Sequence, residues 1–358
     1  MRTTRARRAG LAAVAAIVIG GSGVAVGAAA TGSSASGTTT TARLGPVAPG
    51  SFAGPASYAG VVRQVLPSVV LIRTADGLGS GVVLDRSGNI VTNAHVAGNA
   101  TKFQVQVAGD TTPRSARLVG TYPPDDLAVI RADDPSGLQP ATFGDSGKVQ
   151  AGDVVLAIGN PLGLSGSVTQ GIISATDRAV TEPATDGSPA ATLPGAIQTS
   201  APINPGNSGG ALVSTSGQVV GIPTLAAGSP QGGGQAQGIG FAIPSNLARD
   251  IATQIIDTGH VTNSHRAAIG AEVATVLGPD GTAGGVGVVA VTNGGGAERA
   301  GLRAGDVITA VGGAQTTDTT ALSQALAAAK PGDTVTVAIS RDGQDRSVQV
   351  TLGELPGS

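Results

Sequence analysis

The chain has 358 residues, a length typical of two globular domains with appendages. Its formal net charge is -2 and no Lys/Arg-rich patch follows the first eight residues, so the sequence does not favour a nucleic-acid-binding protein. Cysteine is absent, which excludes disulfide bridges and thiolate nucleophiles. With 41% hydrophobic residues, 57 glycines and only 2% aromatic residues, the composition indicates a β-rich globular protein packed with small aliphatic side chains.

The N-terminal residues 1–30 have the pattern of an export signal. Four arginines lie within residues 2–8 and precede a long apolar run. Ala28–Ala30 fit a small-residue cleavage site, but the run also approaches the ~20 residues that span a bilayer. A cleaved signal peptide and a retained membrane anchor are both open. Either one predicts an extracytoplasmic protein, secreted or anchored to the outer face of the cytoplasmic membrane.

The next segment, residues 31–57, is rich in Ser, Thr, Gly and Pro and predicts a disordered linker. The first folded unit is expected over residues 58–259. Short apolar runs recur there between Gly, Pro and Asp residues, as in an all-β barrel or sandwich. A closing helix is predicted from an N-cap at Ser245 to a stop at Gly259. Two polar stretches within this unit, residues 177–196 and 226–238, predict long loops.

A polar linker, residues 260–267, leads to a second unit over residues 268–354. This unit combines strands with one helix at about residues 318–329, so a small α+β domain is expected. Its last strands form a Val-rich hairpin around the turn "RDGQD".

Three residue types that together support nucleophilic catalysis occur in the β-rich unit. Of three histidines in the chain, only His95 lies inside it, in "NIVTNAHVAG". Asp125 and Asp126 follow in "YPPDDLAVI", and Ser208 stands in the glycine-rich turn "INPGNSGGAL". A serine hydroxyl needs a base to take its proton, and a carboxylate must orient that base. Each motif alone also fits a structural role, but together they favour a serine protease. This chemistry needs no cofactor, and no metal-ligand spacing is seen.

The order of these motifs resembles the HtrA (DegP/Deg) family of trypsin-like serine proteases. The resemblance covers residues 60–353 and rests on "GSGVVLDRSGNIVTNAHV", "DDLAVI", "FGDSGKVQAGDVVLAIGNPLGL", "INPGNSGGAL" and "GIGFAIPSN". It implies a mainly β fold: a two-barrel chymotrypsin/trypsin-like protease domain with the site between the barrels, followed by a small α+β PDZ domain.

Residue roles follow from the same resemblance. It implies that His95 is the general base, Asp126 the orienting carboxylate and Ser208 the nucleophile, with the N–H groups of Gly206 and Ser208 as the oxyanion hole. Asp125 is then expected to be a solvated turn residue. The family position that lines the specificity pocket falls on Ile203, for which a plain core role stays open. The family often has Asp where this chain has Ser200.

The second unit resembles a PDZ domain. The resemblance implies a carboxylate-binding loop at Ile269, Gly270 and Ala271, beside which a peptide would add as a β-strand. Leu322 and Leu326 share a predicted helix face, and Leu322 is a candidate for the peptide groove, with a plain core role as the alternative.

The leading hypothesis is an exported HtrA-type endopeptidase that degrades unfolded or misfolded proteins and binds C-terminal peptides through its PDZ domain. A chaperone or peptide-binding scaffold with an idle protease site is the alternative. A structural β-protein is a third reading, which requires His95, Asp126 and Ser208 to lie far apart. Expected partners are unfolded proteins and C-terminal peptides, with a membrane tether and a homotrimer as further expectations.

Overall fold

The computed structural model describes residues 57–75, 77–160, 166–182, 191–204, 206–228, 235–278 and 281–357. The predicted export segment, residues 1–30, and the predicted linker up to residue 56 lie outside these ranges. Within them, none of the helices has the length and apolarity required to cross a bilayer.

The strands between residues 69 and 244 form two closed six-stranded antiparallel barrels. A helix, α1 (Tyr58–Val65), precedes them. The first barrel, in strand order β1-β2-β3-β6-β5-β4, is made of β1 (Val69–Arg73), β2 (Leu78–Val83), β3 (Asn89–Thr92), β4 (Lys102–Val107), β5 (Arg114–Tyr122) and β6 (Leu127–Ala132). The second, in order β10-β11-β12-β9-β8-β7, is made of β7 (Val154–Gly159), β8 (Ser167–Glu182), β9 (Ala191–Thr199), β10 (Ala211–Ser214), β11 (Val219–Gly228) and β12 (Gln235–Pro244).

Small aliphatic side chains fill both barrels, as the composition predicts. Val70, Ile72 and Ile90 are fully buried in the first barrel, and Ile173 and Leu212 in the second. Gly81 leaves room for this packing, because a Cβ there would lie 2.6 Å from Ile90 Cγ2. Closed barrels also leave no unpaired strand edge.

The predicted closing helix is α3 (Ser245–Thr258), which packs Ile251 and Ile255 into the barrel core. Gly259 ends the helix in the left-handed region at φ 82°, as predicted. The predicted N-cap is wrong by one residue. Pro244 is the N-cap, and Ser245 lies inside the helix, where its hydroxyl donates to the carbonyl of Gly144 at 2.9 Å instead of capping.

The described parts of the two predicted polar loops are strand, and residues 183–190 and 229–234 lie outside the described residues. In the first, β8 continues to Glu182 and β9 begins at Ala191, with Arg178 paired to Ala196. In the second, β11 continues to Gly228 and β12 begins at Gln235. Polar composition predicts loops, but antiparallel strand pairing satisfies the backbone groups of the described residues.

The C-terminal unit is a sheet with one main helix. A five-strand path, β14-β15-β16-β18-β19, carries β17 as a partner of β16, and β13 pairs with β20. The strands are β13 (Ala267–Ala268), β14 (Ala271–Leu277), β15 (Ala283–Val291), β16 (Val307–Val311), β17 (Ala314–Gln315), β18 (Thr334–Arg341), β19 (Gln344–Thr351) and β20 (Gly353–Glu354). The helices are α4 (Gly296–Arg299) and α5 (Thr319–Leu326), the latter capped by Asp318.

The predicted final hairpin is present. Arg341 pairs with Gln344 across a two-residue turn, in which Asp342 and Gly343 both have positive φ. The mainly β fold, two barrels followed by a small α+β unit, is therefore confirmed.

Candidate active site

His95 and Asp126 are held together at one end of the first barrel. His95 lies on the short helix α2 (Ala94–Ala97), which follows β3, and Asp126 lies just before β6. The imidazole Nδ1 is 2.8 Å from Asp126 Oδ2, and the backbone N–H of His95 donates to Asp126 Oδ1 at 2.9 Å. A neutral histidine that donates from Nδ1 to a carboxylate keeps a lone pair on Nε2, which is the arrangement a general base requires.

A tight turn presents the carboxylate of Asp126. The 3₁₀ turn Pro123–Asp125 ends there, and Asp126 takes the left-handed conformation at φ 50°, ψ 42°. Aspartate tolerates this region better than most residues because its short side chain bonds locally. Its carbonyl accepts hydrogen bonds from the backbone N–H of Ala94 and from Asn93 Nδ2 at 3.0 and 3.1 Å. The turn is thus fixed to the helix that carries His95.

Thr224, on β11, connects this pair to Ser208. Its hydroxyl donates to Asp126 Oδ2 at 2.5 Å, and its backbone carbonyl accepts a hydrogen bond from Ser208 Oγ at 3.1 Å. Thr224 and Asp126 are both buried, at 4% and 1% exposure, while Ser208 is partly exposed. Thr224 is not identifiable from the sequence, because a single threonine in an apolar strand carries no distinctive pattern.

The glycine-rich turn around Ser208 is anchored to the first barrel by Ser80. Ser80 Oγ donates to the carbonyl of Gly206 at 2.5 Å, and the N–H of Ser80 donates to the carbonyl of Ser208 at 3.0 Å. Gly209 has φ 76°, and a Cβ on it would lie 2.3 Å from the carbonyl oxygen of Ser80. Glycine is therefore required there both for backbone conformation and for close approach. Pro205 lies outside the described residues.

Ile203, the predicted pocket residue, is 4% exposed and packs in the core of the second barrel. It also fills the space beside Gly240, where a Cβ would lie 2.4 Å from Ile203 Cγ1. Ser200 accepts a hydrogen bond at Oγ from the N–H of Ile172 at 3.0 Å, which joins its loop to β8.

Asp125 is not the solvated turn residue that the sequence predicts. Its side chain is fully buried, and its Oδ1 lies 3.0 Å from Arg266 Nη1. Burial raises the pKa of Asp125 to about 6, although the nearby Arg266 lowers it. The sequence does not predict this ion pair, because Arg266 lies in the predicted linker.

A cavity of about 190 Å³ lies in the C-terminal unit at the position predicted for the peptide groove. Ile269, Ala271 and Leu322 line it, and Gly270 between the first two has φ 78°. Leu322 is also only 5% exposed and belongs to the domain core, so the core and groove readings of this residue are compatible. Arg266 and, from β9, Pro194 also line the cavity.

Among the residues that the structure describes, no group of three or more His, Asp or Glu side chains is placed to hold a metal ion.

Comparisons with known proteins assign both units. The family model for trypsin-like peptidase domains matches residues 79–222, and that for PDZ domains matches residues 261–352. Serine protease PepD of Mycobacterium tuberculosis is 37% identical over an alignment 374 positions long, which covers 97% of this chain and 78% of PepD. The periplasmic pH-dependent serine endoprotease DegQ of Escherichia coli is 38% identical over 282 residues, covering 77% of this chain and 59% of DegQ.

A solved structure of the HtrA-type protease AlgW with a decapeptide is 34% identical, with a TM-score of 0.54. That match covers 84% of this chain and 99% of AlgW. Since PepD and AlgW are each matched over more than two thirds of their length, and the fold is the one that the sequence implied, the chain belongs to the HtrA family of serine endopeptidases with a PDZ domain.

Proposed function

We propose that this protein cleaves unfolded or misfolded proteins outside the cytoplasm, with His95, Asp126 and Ser208 as its catalytic triad. The observation that carries the triad is the chain of hydrogen bonds from His95 to Asp126, from Thr224 to Asp126 and from Ser208 to Thr224. We assign the protease domain to residues 58–259 and the PDZ domain to residues 268–354, joined by residues 260–267.

In this mechanism Ser208 Oγ attacks the carbonyl carbon of the scissile peptide bond while His95 Nε2 takes its proton. Asp126 stabilises the imidazolium that results. The negative charge on the carbonyl oxygen is stabilised by the N–H groups of Gly206 and Ser208, a contribution typically worth about 10²- to 10³-fold in kcat for one donor. His95 then returns the proton to the leaving amine, and water hydrolyses the acyl-enzyme by the same steps in reverse order.

Substrate selection involves two surfaces. The aliphatic side chain of Ile203 would favour small to medium apolar residues before the scissile bond. In the PDZ domain, β14 is the terminal strand of its sheet path, and the cavity lined by Ile269, Ala271 and Leu322 lies beside it. A C-terminal peptide would pair with β14, place its carboxylate at the loop of residues 269–271 and insert its last side chain into the cavity.

The location follows from the sequence and from the relatives. Residues 1–30 have the pattern of an export signal, and DegQ is named as a periplasmic enzyme. We therefore propose an extracytoplasmic protein, either released after cleavage or tethered by its N-terminal segment to the outer face of the cytoplasmic membrane. A homotrimer is the expected assembly by family resemblance.

Replacing Ser208 by Ala should abolish cleavage of β-casein, because it removes the hydroxyl that attacks the scissile carbonyl carbon. The Ser208→Ala variant should keep the wild-type thermal midpoint, and a fluorophosphonate probe should label the wild type only. Ser216→Ala, at an exposed serine close in sequence, is the matched control and should cleave casein at the wild-type rate. Casein cleavage by a folded Ser208→Ala variant would refute the assignment.

A further inference from the structure

Arg266 crosses from the PDZ unit to the turn that presents Asp126. It directly precedes β13, the first strand of that unit. Its Nη1 lies 3.0 Å from Asp125 Oδ1 and donates a second, short hydrogen bond to the carbonyl of Pro124. Arg266 and Asp125 are 141 residues apart in the chain, so the contact exists only through the tertiary structure.

The contact is shielded from solvent. The side chain of Asp125 is fully buried, and that of Arg266 is 12% exposed. The second carboxylate oxygen of Asp125 has no hydrogen-bond partner within the described residues. Arg266 therefore supplies the direct ionic support for this carboxylate. Removing one partner of a buried ion pair is strongly unfavourable, because the remaining charge stays desolvated.

The two groups that Arg266 holds belong to the residues immediately before Asp126. The N–H of Asp126 donates to the carbonyl of Pro123 at 3.0 Å, which closes the same turn. The left-handed conformation of Asp126 depends on that turn staying closed. A shift of Pro124 or Asp125 would thus rotate the backbone that aims the carboxylate of Asp126 at His95.

We propose that Arg266 is a positioning residue for catalysis, through which the PDZ unit holds the turn of the catalytic aspartate. The inference rests on the proposed roles of His95 and Asp126. It adds a task for the PDZ unit besides peptide binding, since a protease domain ending at Gly259 lacks this guanidinium. The reaction depends steeply on such geometry: a misplacement of about 1 Å can cost about 100-fold in rate.

The test compares full-length Arg266→Met with Arg266→Lys in steady-state cleavage of a peptide substrate, normalised by active-site titration with a fluorophosphonate. Methionine removes the charge and both hydrogen bonds, so kcat should fall about 10-fold or more while KM stays within about twofold, because the loss concerns transition-state alignment. A lysine ammonium can donate hydrogen bonds to both the Asp125 carboxylate and the Pro124 carbonyl, so Arg266→Lys should keep most of the wild-type kcat. Arg346→Met, at an exposed arginine of β19, is the control and should behave as wild type.

A wild-type kcat in Arg266→Met would overturn the proposal, and so would a lower thermal midpoint with unchanged kcat per titrated site. If Arg266→Met does not fold, Arg266→Gln takes its place, since glutamine keeps a donor without the charge; a lowered kcat supports the proposal and an unchanged one overturns it. Each of these outcomes is a ratio of the variant kcat to that of an active wild-type protein. If the proposed function itself were wrong, the wild-type protein would show no Ser208-dependent cleavage.

Discussion

At the scale of single residues, the hydroxyl of Ser80 makes two hydrogen bonds that hold the site together. Ser80 is fully buried, donates to the carbonyl of Gly206 and accepts the N–H of Asn160 at 2.8 Å. Ser80 lies in the first barrel, while Gly206 and Asn160 belong to the second. One hydroxyl therefore joins the two barrels at the turn that would form the oxyanion hole, and limits the rotation of the Gly206–Asn207 peptide unit.

Replacing Ser80 by Ala should lower kcat by about 10-fold or more, because it leaves the carbonyl of Gly206 and the N–H of Asn160 buried without a partner at a cost of about 1–3 kcal/mol each. Steady-state kinetics on a peptide substrate, with Ser216→Ala as the control, would measure the effect. Ser80→Cys, which keeps only a weak donor, should fall between the two. A kcat in Ser80→Ala equal to that of wild type would show that the turn does not need this anchor.

At the scale of elements, a buried ion pair joins the ends of two PDZ strands. Asp306, directly before β16, receives hydrogen bonds from Arg341 at the end of β18, with Nε to Oδ1 at 2.6 Å and Nη2 to Oδ2 at 2.7 Å. The N–H of Arg303 also donates to Asp306 Oδ2 at 2.8 Å. These bonds, first those from Arg341, hold the pKa of Asp306 below its ordinary value.

This ion pair makes the stability of the PDZ domain depend on pH. A carboxyl whose pKa is lower in the folded state stabilises the fold above its unfolded pKa of about 3.9, and this contribution is lost as the pH falls through the folded value. Arg341→Met should therefore unfold the PDZ domain more easily than wild type at pH 7, and the difference should shrink below about pH 4. Hydrogen exchange of the β16 and β18 amides in both proteins would measure the stability difference and its change with pH. A difference independent of pH would contradict the role given to the Asp306–Arg341 pair.

At the scale of the whole molecule, the pair of Asp125 and Arg266 joins the protease and PDZ domains through a group that titrates at an unusual pH. Burial raises the pKa of Asp125 to about 6, against 3.8 as its ordinary value. The folded protein therefore binds this proton more tightly than the unfolded chain. The pH dependence of stability is therefore opposite to that from Asp306. The carboxyl of Asp125 favours the folded state most below about pH 4, and this contribution is lost as the pH rises through about 6.

Asp125→Asn does not titrate, so the difference in unfolding free energy between this variant and wild type should change with pH. As the pH rises from about 4 to 7, wild type should lose roughly 3 kcal/mol relative to the variant, the equivalent of two pKa units. Urea unfolding of both proteins across this range measures the change. A constant difference would show that the carboxyl titrates alike in the folded and unfolded states.

The sequence by itself determined the fold class, the order of His95, Asp126 and Ser208, the stop at Gly259 and the final hairpin. Hydrophobic spacing, turn glycines and short motifs are local, and they survive without any knowledge of contacts. Only the tertiary structure decided that Asp125 is buried, that Thr224 and Ser80 support the site and that Arg266 reaches the turn of Asp126. Thr224 and Asp126 are 98 positions apart in the chain, and Arg266 and Asp125 are 141 positions apart. The chain brings such residues together only when two barrels and a PDZ domain pack, and no local pattern records that packing.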